Sequence, residues 1–165
     1  MPKLPSPTIR LITALQNAGV DSILYGSQGV SLYLGAFKEF GDIDLLVDNR
    51  WVLKDWQELI TIMSGLSFAL QDEHEHEFIN ADNIHVAFAD KEILKRDGIA
   101  QSLDDILETF TIGNSKICTL KPELFKKAYE FSERDGYRKD VRGKKDREVI
   151  TRLSEYLERG SKPAS

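Results

Sequence analysis

The stretch that most constrains this chain runs from Ser22 to Val47. It opens with a short apolar run, Ser22-Ile23-Leu24-Tyr25, which reads as a buried strand. Gly26-Ser27 follows, then Val30, Leu32, Tyr33 and Leu34 at roughly helical spacing, and Gly35 ends that piece. Gly41 precedes Asp42-Ile43-Asp44-Leu45-Leu46-Val47, a second apolar strand carrying two acids. Residues two apart on a strand project from the same face, so Asp42 and Asp44 present both carboxylates together while Ile43 points the other way. Two adjacent carboxylates repel unless a cation neutralises them or one takes a proton. Hard oxygen donors of this kind suit Mg²⁺ or Mn²⁺. At Gly26-Ser27 a strand turns into a helix. Glycine there allows close approach of a ligand to backbone, and the free N–H groups of a helix start favour an anion such as phosphate. One site holding phosphate at Gly26 and Ser27 and metal at Asp42 and Asp44 is equipped for metal-assisted phosphoryl or nucleotidyl transfer.

The rest of the chain predicts a frame for that site. A helix is expected over Pro7–Ala18, with Ser6 as cap and Gly19 as stop. Asn49 is read as the cap of a helix from Trp51 to Met63, with Leu53, Trp56, Leu59, Ile60 and Met63 on one stripe. Residues 66–70 and 77–81 read as paired strands joined across the acidic block Gln71-Asp72-Glu73-His74-Glu75-His76-Glu77, and Asp82-Asn83 as a turn. Ile84, Val86 and Phe88 alternate with His85, Ala87 and Ala89 as on a half-buried strand. Residues 91–111 read as helical turns and loops, and Ser115–Thr119 as a last short strand. Pro122 opens a helix to about Arg134, and another runs from Lys144 to Leu157. This order implies an α/β (α+β) fold, a mixed sheet flanked by helices with a helical C-terminal portion over about 120–158. A single domain over 1–160 with a frayed tail at 161–165 fits a chain of 165 residues.

Composition narrows the classes. The net charge of −5 argues against charge-driven coating of nucleic acid. Residues 134–147 are locally dense in Lys and Arg, and read either as a solvated turn between helices or as a contact for phosphate or RNA. The single cysteine, Cys118, excludes a disulfide within one chain and sits in an apolar run as a core residue. No apolar run approaches the roughly 20 residues of a membrane span, and no secretory signal opens the sequence, so a cytoplasmic location and no membrane partner are expected. His74 and His76 read as a solvated connection rather than a metal site, with no cysteine or third histidine nearby.

Strand, Gly-Ser, short helix, then Asp-X-Asp on the next strand resembles the nucleotidyltransferase-fold superfamily. The run Gly29-Val30-Ser31-Leu32-Tyr33-Leu34-Gly35 is most similar to the branch of the lincosamide and AbiEii-like nucleotidyltransferases. Leu120-Lys121-Pro122-Glu123-Leu124-Phe125 and Lys144-Lys145-Asp146-Arg147-Glu148-Val149-Ile150 look like the helical end of that branch. The resemblance implies that Gly26 and Ser27 hold the phosphates of a nucleoside triphosphate. It implies that Asp42 and Asp44 are catalytic and bind two divalent metals, Mg²⁺ or Mn²⁺. Lys126, Lys127 or Lys145 would reach the triphosphate, the alternative being an ion pair of Lys126 or Lys127 with Asp146. It implies transfer of a nucleoside monophosphate to a hydroxyl of a small molecule, a protein or RNA, of toxin–antitoxin or antibiotic-modifying type. Members of the superfamily carry a third carboxylate on a later strand. Here Val86-Ala87 stands at that place, and His85, on the same face, is the candidate substitute as base or ligand; Asp82 and Asp90 are poorly placed. The departure keeps two alternatives open, a catalytically degenerate binding or regulatory module and a metal-dependent nuclease.

Overall fold

The computed structural model describes residues 4–35, 41–134 and 136–160, with the backbone but not the side chains of 134 and 136–145. Six helices and seven strands follow one another in these segments: α1 (Ser6–Asn17), β1 (Ser22–Tyr25), α2 (Gly26–Leu34), β2 (Ile43–Val47), α3 (Trp56–Gly65), β3 (Ala69–Asp72), β4 (Glu77–Ile79), β5 (His85–Asp90), α4 (Ile93–Arg96), β6 (Leu107–Ile112), β7 (Ser115–Leu120), α5 (Pro122–Arg134) and α6 (Gly136–Gly160). The strands form one mixed sheet in the order β3-β4-β5-β2-β1-β7-β6. β1 runs antiparallel to β2 and parallel to β7, and β2 runs parallel to β5.

The central strands are covered on both faces, which is why β2 is apolar at four of its five positions, Ile43, Leu45, Leu46 and Val47. One core joins Ile43, Leu45, Val86, Phe88 and Phe78 to Leu11, Ile12 and Leu15 of α1 and to Trp56, Leu59 and Met63 of α3. The other joins Ile23 and Leu46 to Val30 of α2, to Leu124, Phe125 and Ala128 of α5, and to Val149 and Leu153 of α6. Asp44 is the charged residue within β2, and it stands half-buried on the face of Ile23 and Leu46 where the helical cover parts.

Several local expectations are corrected. Helix α1 starts at Ser6 itself, after Pro5, with no side-chain cap. Its end does follow the sequence: Gly19 takes φ +87°, and Gly19 and Val20 return their N–H groups to Gln16 O and Leu15 O. The helix expected from Trp51 is broken. A 3₁₀ turn spans Asn49–Val52, its cap being Asp48, whose carboxylate accepts from Arg50 N, and α3 begins only at Trp56. The break throws Leu53 outward, 68% exposed instead of on the apolar stripe. Within 91–111, expected as helical turns and loops, the chain instead forms β6 from Leu107 to Ile112, an edge strand hydrogen-bonded to β7 over its whole length. Its burial alternates exposed and half-buried, with Leu107, Thr109 and Thr111 outward, so the apolar signal is weak. The basic block is no turn: the backbone is helical from Gly136 onward. The β3–β4 pairing forms as expected but is shifted and shorter, over Ala69–Asp72 and Glu77–Ile79, while the turn at 82–83 held by Asn80 and the helix from Pro122 stand as expected.

Candidate active site

The ends of β1 and β2 and the start of α2 open into a cleft of about 640 Å³. Gly26, Ser27, Gly41, Asp42 and Asp44 line it on the sheet side; Phe125, Ala128, Tyr129 and Ser132 of α5 form the opposite wall. Those four lie at positions i, i+3, i+4 and i+7, one face of a helix. Tyr25 stacks on Phe125 at 5.9 Å between ring centroids and joins the two sides at the base.

The cleft is built by one backbone turn. Tyr25 is extended (φ −120°), and Gly26 switches to φ +66° as the first residue of α2. Antiparallel register sets Tyr25 opposite Asp44, so the turn passes directly over the Asp44 carboxylate. A Cβ built on Gly26 would collide with Asp44 Oδ2. Glycine is therefore required here twice, for its φ and for its missing side chain. The first N–H groups of α2 and the carboxylates of Asp42 and Asp44 are thereby brought to one place: Asp42 exposed, Asp44, Gly26 and Ser27 half-buried.

Sequence reasoning missed the residue that fixes this turn. Gln28 is 2% exposed. Its Nε2 donates to Gly41 O at 3.1 Å, and its Oε1 accepts from Thr8 Oγ1 at 2.6 Å. It ties α1, α2 and the residue before Asp42 together, so the spacing between the Gly-Ser turn and the Asp-X-Asp strand is held by a buried amide. A glutamine on a helix carries no sequence signal for this, because both partners are distant or backbone.

The donor set fits a hard divalent cation. Asp42 and Asp44 offer carboxylate oxygens on one side, and the open cleft leaves room for phosphate oxygens and water as the remaining ligands. Among the described residues no group of three His, Cys, Asp or Glu side chains closes around a metal by itself. His76 is engaged elsewhere, its ring edge-on to Trp56 at 4.7 Å.

The other candidates are placed as follows. Ala87 lies beside Asp44 on β5 and lines the cleft. His85 shares that face but lies one pair further along, outside the cleft lining, with Nδ1 2.7 Å from Glu77 Oε1. Asp90 sits on the opposite face, paired with Val47, and caps Glu92 N; Asp82 lies in the distant turn. Lys126 and Lys127 occupy positions of α5 other than the cleft-lining ones. The side chain of Lys145 lies outside the described residues. Asp146 is 3% exposed and lines the cleft, and the neighbouring Arg147 pairs with Glu133 of α5. Cys118 is half-buried on β7, and burial pushes its thiol pKa up.

No family model matches the chain. The uncharacterized protein YnaI of Bacillus subtilis (strain 168) is 31% identical over 135 residues, which cover 82% of this chain and 85% of YnaI. An antigenic nucleotidyltransferase-like protein from Paracoccidioides brasiliensis superposes with TM-score 0.64 at 15% identity, covering 90% of this chain and 73% of its own. The lincosamide antibiotic adenylyltransferase LnuA, in its lincomycin-bound structure, gives 0.61 at 15%, covering 93% and 98%. The structure of ANT(2")-Ia in complex with adenylyl-2"-tobramycin gives 0.53 at 14%, covering 94% and 100%. The chain belongs to the YnaI family and has the nucleotidyltransferase fold. Within that fold, the YnaI-family chain turns at Gly26-Ser27 from β1 into α2, and Asp44 lies on the adjacent β2 with Asp42 just before that strand. Among its described residues no helix is long and apolar enough to cross a membrane.

Proposed function

We propose that this chain is a metal-dependent nucleotidyltransferase that moves a nucleoside monophosphate from a nucleoside triphosphate to a hydroxyl acceptor. The observation that carries the reading is the turn at Gly26, which lays the start of α2 against the Asp44 carboxylate at the mouth of the cleft. Helix-start amides suit phosphate oxygens and paired carboxylates suit a hard cation, and a metal–triphosphate offers both. The fold of the antibiotic-modifying neighbours supports the class of reaction, and a small hydroxyl-bearing molecule is the acceptor class it favours.

The N–H groups at the start of α2, with Ser27, bind the phosphates and set the α-phosphorus toward Asp42 and Asp44. Those two carboxylates would hold Mg²⁺ or Mn²⁺, which supplies Lewis-acid charge for phosphate and acceptor oxygens when bound. The α5 wall, with Tyr129 and Ser132, flanks the remaining volume and leaves it open to an acceptor. Ala87 beside Asp44 supports the second reading, a module that binds nucleotide without transferring it.

The deciding experiment is calorimetric titration with each nucleoside triphosphate plus Mg²⁺ or Mn²⁺, on the native chain and on Asp42→Asn/Asp44→Asn. Metal-dependent binding lost in the double variant is the expected result. A folded native chain that binds no triphosphate refutes the transferase reading. Binding without pyrophosphate release over a broad panel of hydroxyl acceptors moves the assignment to the second reading.

A further inference from the structure

Transfer to a hydroxyl needs a proton acceptor that is not already committed to a cation. On the face of the sheet that carries Asp44, the next side chain across is Ala87, a methyl group. The same row continues from Ala87 to Glu77 on β4. One pair back along β5 is His85, which faces the same way as Ala87. The β2–β5 pairing opens at Ile43–Val86, and Asp42 and His85 are the residues immediately before that pair on the two parallel chains. His85 and Glu77 thus stand on either side of the gap that Ala87 leaves, and they are joined, Nδ1 to Oε1, at 2.7 Å. Both side chains are about a quarter exposed, 24% and 25%, so each is anchored yet reaches solvent.

An ionised carboxylate only accepts hydrogen bonds. A neutral His85 ring next to Glu77 therefore carries its proton on Nδ1 and leaves Nε2 with a free lone pair. An imidazole fixed in that tautomer offers Nε2 as a proton acceptor.

The geometry points to His85 as the base that receives the acceptor's proton and to Glu77 as the residue that positions it, an inference that rests on the transferase reading above. The acceptor O–H gives its proton to His85 Nε2 as its oxygen bonds to the α-phosphorus. The bond from that phosphorus to the bridging oxygen breaks, and pyrophosphate leaves with the electron pair. The imidazolium so formed is held by Glu77 at Nδ1–H until it returns the proton to water. No oxidant or reductant enters. A histidine–carboxylate pair on two adjacent strands thus takes the place of a carboxylate at position 87.

The test is ¹⁵N–¹H correlation spectroscopy of the histidine rings in the full chain. The expected result is a single Nδ1–H tautomer for His85, kept in Glu77→Gln, whose amide oxygen still accepts, and mixed in Glu77→Ala. An Nε2–H tautomer, or no change in Glu77→Ala, overturns the inference. Mn²⁺ is then added with each of the four ribonucleoside triphosphates in turn. Broadening of the Asp42 and Asp44 amides together with the His85 ring, with the Gly113 amide at the far end of the sheet left sharp, supports it. Broadened Asp42 and Asp44 with a sharp His85 ring overturns the base assignment and leaves the transferase reading standing. No broadening at any of them overturns both. In pyrophosphate release over the acceptor panel, His85→Asn lowers kcat by about 10²-fold or more with the triphosphate Kd unchanged. Glu77→Ala lowers it about tenfold, the loss of one charge-assisted hydrogen bond. His85→Asn turning over at the native rate overturns the assignment. The spectroscopic arms decide whether or not the panel contains the acceptor.

Discussion

Replacing Gly26 by alanine tests the construction of the site in one residue. Two costs follow from the structure. The backbone stays at φ +66°, which costs a residue with a Cβ about 1–2 kcal/mol. The new methyl also collides with Asp44 Oδ2, so the Asp44 side chain must leave its rotamer, at about 0.5–1.5 kcal/mol more. Gly26→Ala should therefore destabilise by about 1.5–3.5 kcal/mol. Gly19→Ala is the internal control: it has φ +87° with nothing within 4 Å of the added Cβ, so it carries the backbone strain alone. The second control is the cycle with Asp44→Ala, which removes the obstacle. In that background Gly26→Ala should cost only about 1–2 kcal/mol, a coupling near 1 kcal/mol. Urea unfolding midpoints at constant m give all four numbers. If Gly26→Ala costs no more than Gly19→Ala, and shows no coupling to Asp44→Ala, the close approach of turn and carboxylate is not what the glycine is for. Metal–triphosphate binding should be lost in Gly26→Ala even where the chain remains folded, because Asp44 has been displaced.

Gln28→Leu leaves Gly41 O and Thr8 Oγ1 without their buried partner and should cost about 1–3 kcal/mol in urea unfolding, with weaker metal–triphosphate binding as Asp42 loses its anchor. Alkylation of Cys118 by iodoacetamide should accelerate only at a pH above the usual thiol range, since burial holds the thiol protonated; an ordinary pH profile in the native state refutes this. Tyr33 donates to Leu120 O at 2.6 Å, and burial, then Glu108, raises its pKa above the ordinary 10.0. The folded chain then keeps a proton that the unfolded chain loses, so stability is full below about pH 10 and falls as pH rises beyond it. Tyr33→Phe should flatten that fall in unfolding midpoints taken between pH 8 and 11. Saturating Mg²⁺ with the bound triphosphate should raise the native chain's stability by about 2.7 kcal/mol at 100 times Kd, and leave Asp42→Asn/Asp44→Asn unchanged in a thermal shift.

The sequence by itself determined the central motif and the class of fold. Alternating and continuous apolar runs mark β1, β2 and β5, because these strands are buried on one or both faces. The Gly-Ser turn and the Asp-X-Asp pair were legible together because local rules mark both, φ freedom at Gly26 and the apolar run beside the acids, although β2 begins at Ile43 and leaves Asp42 just before the strand on which it was expected. Local rules fail where partners are far away. β6 is an edge strand with an exposed face, so only its pairing with β7 identifies it. The break before Trp56 depends on Asp48 capping and the Arg50–Asp55 pair at 2.6 Å, which compete with an unbroken helix from Trp51. Gln28 acquires its role from Thr8 and Gly41, and His85 its partner from Glu77 across a strand pair. The sequence also names both acids but not that Asp44 lies under the Gly26 turn, since antiparallel register, set by the packing of the whole sheet, decides which residue stands opposite Tyr25.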